Sequence, residues 1–399
     1  MALARISILA IVIASLVGTA PASGAASLVV DARTGTILSA NAANHLWYPA
    51  SLTKLMTVYV VLREIAARRL SFADKITVSA AAANVAPVRF GLSAGQVITV
   101  RQAIDAAIVA SGNDAATALA EKVGGTEEKF ADMMTLAARG LGMTRSVFRN
   151  ATGLPDERQV TTAHDMALLA MALLKTYPQH YALFSQRSVT IGGKRRGTVN
   201  GILGSYDGAD GFKTGFTCGS GYNLVASAMR GGRRVIGVVL GSASRSERKS
   251  AMTRLLDKAF ARAASKEIPL AEPVLAAADE GAPPTVLSGQ ICAAQGDGEG
   301  LVEATARAGG WGIVFGSFAD RMKAQATLRE ARKKLGSIAG GGKGTVAPKN
   351  YNGVTQWSAM ILGLTESVAG KACRVLWVEN AYCLALRPEV LGNKSMAWR

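Results

Sequence analysis

Two β-hairpin patterns stand far apart in this sequence, and together they constrain everything between them. "SLVVDARTGTILSAN" reads as two short strands around a turn at residues 32–35, and "GYNLVASAMRGGRRVIGVVLG" as two longer strands around Gly231 and Gly232. Helical patterns fill the interval at 52–67, 100–123, 126–140 and 162–176, and another follows the second hairpin at 248–264. The strands must therefore close one sheet across a mostly helical insertion, which predicts an α/β fold with an antiparallel sheet and a helical subdomain.

A chain of 399 residues with 49% hydrophobic residues can carry more than one such core. Residues 266–309 shift to Ala, Gly, Pro and Glu, with "EGAPP" and "AQGDGEG", and read as a linker. Order then returns. "WGIVFGSF" alternates as a strand, and Ala324, Leu328, Ala331 and Leu335 recur at helical spacing. A strand near Thr345, another in "TQWSAMILGL", a helix from Glu366 to about Leu376 and a strand in "AYCLAL" complete a small α+β domain at 310–387.

The first residues belong to neither domain. Arg5, an apolar run from Ile8 to about Val17 and the small residues 23–26 have the form of a secretory signal peptide at 1–26, and the run is shorter than the roughly 18 residues of a membrane span. Export makes disulfides the expected state of the four cysteines. From position, Cys373 pairs with Cys383 inside the small domain, and Cys218 with Cys292 across the linker. A net charge of +17 would suggest nucleic acid for a cytosolic chain, but outside the membrane the available polyanions are cell-wall polymers and lipid headgroups. No nucleic acid, metal or cofactor is expected.

The chemistry is carried by three short motifs. In "PASLTKLMT", Ser51 and Lys54 are three residues apart at the start of an apolar helix, on one face, so that a neutral lysine amine can take the serine proton. Alone the pattern is cheap, since Ser246 and Lys249 match it too. "SGN" at 111–113 and "KTG" at 213–215 follow in the order that Ser-x-x-Lys, Ser-x-Asn and Lys-Thr-Gly take in β-lactamases and penicillin-binding proteins. Lys54 can act as a base only if burial or a neighbouring positive charge disfavours its ammonium form, and Lys213 is the candidate neighbour. Gly215 lets a substrate backbone lie against the strand edge while Lys213 and Thr214 hold a terminal carboxylate. The backbone N–H groups of Ser51 and Phe216 are assigned to the oxyanion.

Residues 27–265 resemble the D-alanyl-D-alanine carboxypeptidases, the low-molecular-mass penicillin-binding proteins. "YPASLTKLMT", "ASGNDAATALAE", "NATGLP", "TTAHDMALLA", "DGADGFKTGFT" and "GYNLVASA" carry the resemblance. It implies the penicillin-recognising serine-transferase fold, with Ser51 as acyl-forming nucleophile, Lys54 as its base and Ser111 as proton relay. It further implies that Asn113 and Lys213 organise the site, and that Thr214 and Arg248 contact the substrate carboxylate. The implied partners are peptidoglycan stem peptides ending in D-Ala-D-Ala, and β-lactams. In well-studied members a β-rich domain and an amphipathic membrane helix follow the catalytic unit; here residues 266–309 read as a linker in that place, so membrane anchorage is not an expectation of the resemblance.

Residues 310–387, through "WGIVFGSFADRMKAQATLREARKKL", resemble a sporulation-related repeat (SPOR) domain. That implies binding to glycan strands stripped of stem peptides, a periplasmic place concentrated at the division septum, and division-site proteins as partners. The competing readings are a β-lactamase and a non-catalytic wall-binding protein. The first lacks a glutamate in a Glu-x-x-Leu-Asn setting, since the candidates are Glu121, Glu127, Glu128 and Glu157; the second is opposed by the intact motifs.

Overall fold

The computed structural model describes residues 26–86, 88–156, 158–217, 219–261, 268–269, 310–318, 320–351, 354–378 and 383–386. The leader up to residue 25, the Cys218–Cys292 pair and nearly all of the linker lie outside these residues. In chain order the first unit runs β1 (Ala26–Asp31), β2 (Thr36–Asn41), a 3-10 turn (Ala50–Leu52), α1 (Thr53–Ala66), β3 (Lys75–Thr77), α2 (Ala80–Asn84) and β4 (Val97–Thr99). It continues through α3 (Val100–Val109), α4 (Asn113–Gly124), α5 (Glu127–Gly140), α6 (Ala163–Thr176), β5 (Ser188–Ile191), β6 (Lys194–Gly197) and β7 (Ala209–Thr217). β8 (Gly221–Arg230), β9 (Arg233–Ser242), α7 (Arg245–Ala261) and β10 (Ile268–Pro269) close it.

Both hairpins join one antiparallel sheet of order β10-β2-β1-β9-β8-β7. Alternate residues of its central strands face opposite sides, as the period of a strand requires. Val29, Leu224, Ala226, Val235 and Val239 pack on Met252 and Leu256 of α7. Leu28, Val30, Val225, Ile236, Val238 and Leu240 join the core of the helical layer formed by α1 and α3–α6. With both faces covered, the central strands are buried along most of their length, and α1 in the middle of the helical layer is buried from Thr53 to Leu62.

Two expectations are corrected here. The helical pattern at 100–123 is two helices, because Ser111 adopts a left-handed backbone (φ 57°) that breaks the run at "SGN" and redirects the chain into α4. The expected linker includes β10, whose Ile268 and Pro269 pair with Ile37 and Thr36 of β2 and extend the sheet by one short edge strand.

The small unit follows the expected order: β11 (Trp311–Phe318), α8 (Arg321–Leu335), β12 (Lys343–Tyr351), β13 (Val354–Leu364), α9 (Glu366–Val378) and β14 (Leu384–Leu386). Its antiparallel sheet has the order β12-β13-β11-β14. Ile313, Phe315, Ala359 and Ile361 pack against Ala324, Ala331 and Leu335 of α8 and against Ala369, Ala372 and Leu376 of α9. Cys373 and Cys383 form the disulfide expected for this core. Among the described residues no helix is long and apolar enough to cross a membrane.

Candidate active site

The 3-10 turn before α1 places Ser51 at the mouth of a buried helix. Ala50 just before it has a left-handed φ of 49°, and Ser51 itself remains partly accessible. One turn on, Lys54 is fully buried. Its Nζ lies 3.1 Å from Ser51 Oγ and donates to Asn113 Oδ1 at 2.7 Å and to the Thr152 carbonyl. In the neutral amine, two N–H bonds satisfy those two oxygens and leave the lone pair for the serine proton. Burial pushes the Lys54 pKa down to about 7, against the opposing charges of Asp114 and Glu127.

The second serine and second lysine form a parallel pair. Lys213 Nζ donates to Ser111 Oγ and to the Thr214 carbonyl, both at 2.9 Å. Lys213 is held well below its ordinary pKa by burial first, and then by the charges of Lys54 and Arg248. Of the two expected causes, burial is the one that lowers Lys54, and the charge of Lys54 in turn acts on Lys213.

Asn113 bridges the halves of the site. Its side-chain oxygen receives Lys54, and its Nδ2 donates to the Ala86 carbonyl on the loop before β4. Asp114 fixes that loop by accepting the N–H groups of Phe90, Gly91 and Leu92. Gly215 lies on β7 at the edge of the main sheet. A Cβ on it would sit 3.1 Å from Ser51 N and 2.9 Å from the Pro49 carbonyl, so only glycine lets β7 approach the serine turn this closely. Phe216 pairs with Tyr222 on β8, and their rings stack at 4.3 Å. Thr214 is buried, with a long contact of 3.4 Å from Oγ1 to the Val199 carbonyl.

Arg248 projects from α7 beneath this surface. Its Nη1 donates to the Asn223 carbonyl at 3.3 Å, and its guanidinium carbon lies 5.6 Å from the Tyr222 ring centre. Nε has no hydrogen-bond partner among the described residues, and burial with Arg245 nearby lowers its pKa to about 10. Neither Lys213 nor Arg248 forms an ion pair with an acid among the described residues. Buried basic groups without counter-charges are costly to ionise, and an anion such as a carboxylate at this end of the site would favour their charged forms.

Several contributors carry no sequence signal of their own. The Thr152 carbonyl is a backbone acceptor. Asn223 donates to the Tyr48 and Pro49 carbonyls and receives Gly241 N, which holds the serine turn to the sheet. Both residues fall inside the "NATGLP" and "GYNLVASA" stretches, which marked them as neighbours of the motifs without giving them roles.

A family model described as D-alanyl-D-alanine carboxypeptidase matches residues 16–244. The D-alanyl-D-alanine carboxypeptidase DacC of Escherichia coli is 38% identical over 240 residues, 58% of this chain and 60% of that protein. The chain thus spans about three fifths of the length of the curated relatives it matches. Among solved structures, the D-alanyl-D-alanine carboxypeptidase DacD of Francisella tularensis superposes with a TM-score of 0.58 at 34% identity, covering 60% of this chain and 71% of that one. The ampicillin-bound penicillin-binding protein D2 of Listeria monocytogenes superposes with a TM-score of 0.55 at 31% identity, covering 59% of this chain and 97% of that one.

Proposed function

Because this chain belongs to the D-alanyl-D-alanine carboxypeptidase family, we propose that it is a serine D,D-carboxypeptidase that removes the terminal D-alanine from peptidoglycan stem peptides. The observation that carries the reading is the contact between Ser51 Oγ and the fully buried Nζ of Lys54. Ser51 Oγ attacks the penultimate D-alanine carbonyl while its proton passes to neutral Lys54. The terminal carboxylate of the substrate lies toward Lys213, Thr214 and Arg248. The oxyanion is stabilised by backbone N–H donors, with Ser51 and Phe216 as the assignment. The intermediate collapses by breaking the C–N bond, and the departing amine takes a proton relayed through Ser111. Water then attacks the Ser51 ester, giving its proton to Lys54; the bond from the acyl carbon to Ser51 Oγ breaks, Oγ takes that proton back from Lys54, and the shortened peptide leaves.

The pH dependence tests this directly. Neutral Lys54 is the reactive form, so raising the pH through about 7 populates the base and the rate rises to a plateau. Below that point the rate should fall about tenfold per pH unit. D-Alanine release from a diacetyl-Lys-D-Ala-D-Ala peptide, followed across pH, measures it. A rate flat across the pH range, or falling as pH rises, contradicts the assignment of Lys54 as base. β-Lactams are proposed to acylate Ser51 and to leave slowly, supported by the antibiotic-bound structures of related proteins.

The same proposal extends to export, supported by the apolar run near the start of the chain, and to a periplasmic site of action at the division septum. Residues 310–387 are proposed to bind glycan strands stripped of stem peptides. The strand and helix order supports this, whereas the basic last turn of α8 with Arg332, Lys333 and Lys334 could give only non-specific adhesion. The full chain should sediment with denuded glycan and should stay bound as salt rises, whereas a purely electrostatic contact is screened. Release of all the protein by moderate salt would overturn the glycan reading.

A further inference from the structure

Ala151 is gripped from both sides. Its N–H donates to Glu127 Oε1 at 3.0 Å, and its carbonyl accepts from Thr57 Oγ1 of α1 at 2.7 Å. The next carbonyl along the chain, that of Thr152, receives Lys54 Nζ. Glu127 is thus one peptide unit from the contact that aims the lysine.

Glu127 opens α5, where an acid ordinarily serves the helix dipole. The neighbouring Glu128 is exposed and fills that role, and Thr126 caps the helix by accepting Lys129 N–H. Glu127 is instead turned inward. Its pKa is raised by burial and by the like charges of Glu128 on α5 and Glu121 on α4, while Lys54 opposes the rise.

The charges around Lys54 come from three elements: Asp114 on α4, Glu127 on α5 and Lys213 on β7. Asp114 is already committed to the N–H groups of the 90–92 loop and to Ala115 N, so it cannot change without releasing that loop. Glu127 makes a single bond to the segment it holds, which leaves its charge as the adjustable element.

We propose that Glu127 is a positioning residue for Lys54: its carboxylate fixes the Ala151–Thr152 segment that receives the lysine nitrogen, and its charge supports the ammonium form of that nitrogen. This rests on the reading of Lys54 as the general base. The carboxylate thereby raises the pH at which the site becomes reactive, against the larger effect of burial. Ordinary helix capping predicts neither effect.

The Glu127→Gln variant separates charge from scaffold, because an amide oxygen can still accept Ala151 N–H. The midpoint of Lys54 is read from the ε-carbon NMR signal of labelled lysine across pH, with the signal identified by its loss in Lys54→Met. In Glu127→Gln the midpoint should fall by roughly half a pH unit or more, since an opposite charge favours the ionised form. The acid limb of acylation by benzylpenicillin should move by the same amount. Glu127→Asp keeps the charge, so its midpoint should stay near that of the wild type. Equal midpoints in wild type and Glu127→Gln overturn the inference, whether or not the protein reacts with penicillin. A shifted midpoint in a protein that penicillin never acylates would leave Glu127 in its role and remove the proposed activity instead.

Discussion

Replacing Lys54 by methionine should lower the rate of Ser51 acylation by about 10³-fold or more, near the upper part of the range for losing a positioned general base. Methionine fills the buried volume with an apolar chain, so the helix keeps its packing while the hydroxyl loses its proton acceptor. The change also strands the acceptors Asn113 Oδ1 and Thr152 O, at a cost of about 1–3 kcal/mol for unpaired buried groups. Acylation is therefore compared on protein shown to be folded by circular dichroism, with a fluorescent penicillin as the probe. A rate within tenfold of wild type would mean that some other group activates the serine.

Gly153→Ala should be the most damaging small substitution in the catalytic unit. Gly153 has φ 86°, and a Cβ built there would lie 1.8 Å from the Ala50 carbonyl oxygen and 2.8 Å from Ser51 N. Both atoms are backbone and belong to the turn that presents Ser51, so neither can swing away. A clash with left-handed strain added should cost roughly 3–5 kcal/mol, which for a unit of this size lowers Tm by roughly 10 °C. Acylation should fall as well, because the 150–154 turn must shift and carries the Thr152 carbonyl away from Lys54. Gly140→Ala is the control: nothing lies within 4 Å of its added Cβ, at the last residue of α5. Equal melting temperatures for the two variants would refute the close approach.

The two predictions show why some of this site was legible and some was not. Ser51 and Lys54 could be paired from sequence because helical geometry alone puts residues three apart on one face. Ser111, Asn113 and Lys213 were found through motif order, and the structure brings them to the same pair of nitrogens. Gly153 sits in a stretch that marked the family, but its reason is a through-space approach to Ala50, more than a hundred positions away. Glu127 was weighed only as a deacylating glutamate, because nothing in the sequence ties it to Ala151.

The fold divides in the same way. Long strands such as Gly221–Arg230 and Arg233–Ser242, set around the Gly231–Gly232 turn, are legible in the sequence, as are the apolar helices. Lys75–Thr77 and Val97–Thr99 did not, being three residues each and paired across an intervening helix. The break at Ser111 was hidden because alanine-rich helix continues on both sides, and only the left-handed backbone at that serine separates α3 from α4. Of the two causes open for the Lys54 shift, burial and a neighbouring positive charge, burial is the larger, and its depth cannot be read from the motif.

Mass spectrometry of the protein after exposure to benzylpenicillin tests the central claim most directly. One covalent penicilloyl adduct per chain is expected, mapped by proteolysis to Ser51 and absent from Ser51→Ala. An adduct on any other residue, or an unmodified chain after prolonged exposure of folded wild-type protein, would contradict the assignment of Ser51 as the acyl-forming nucleophile.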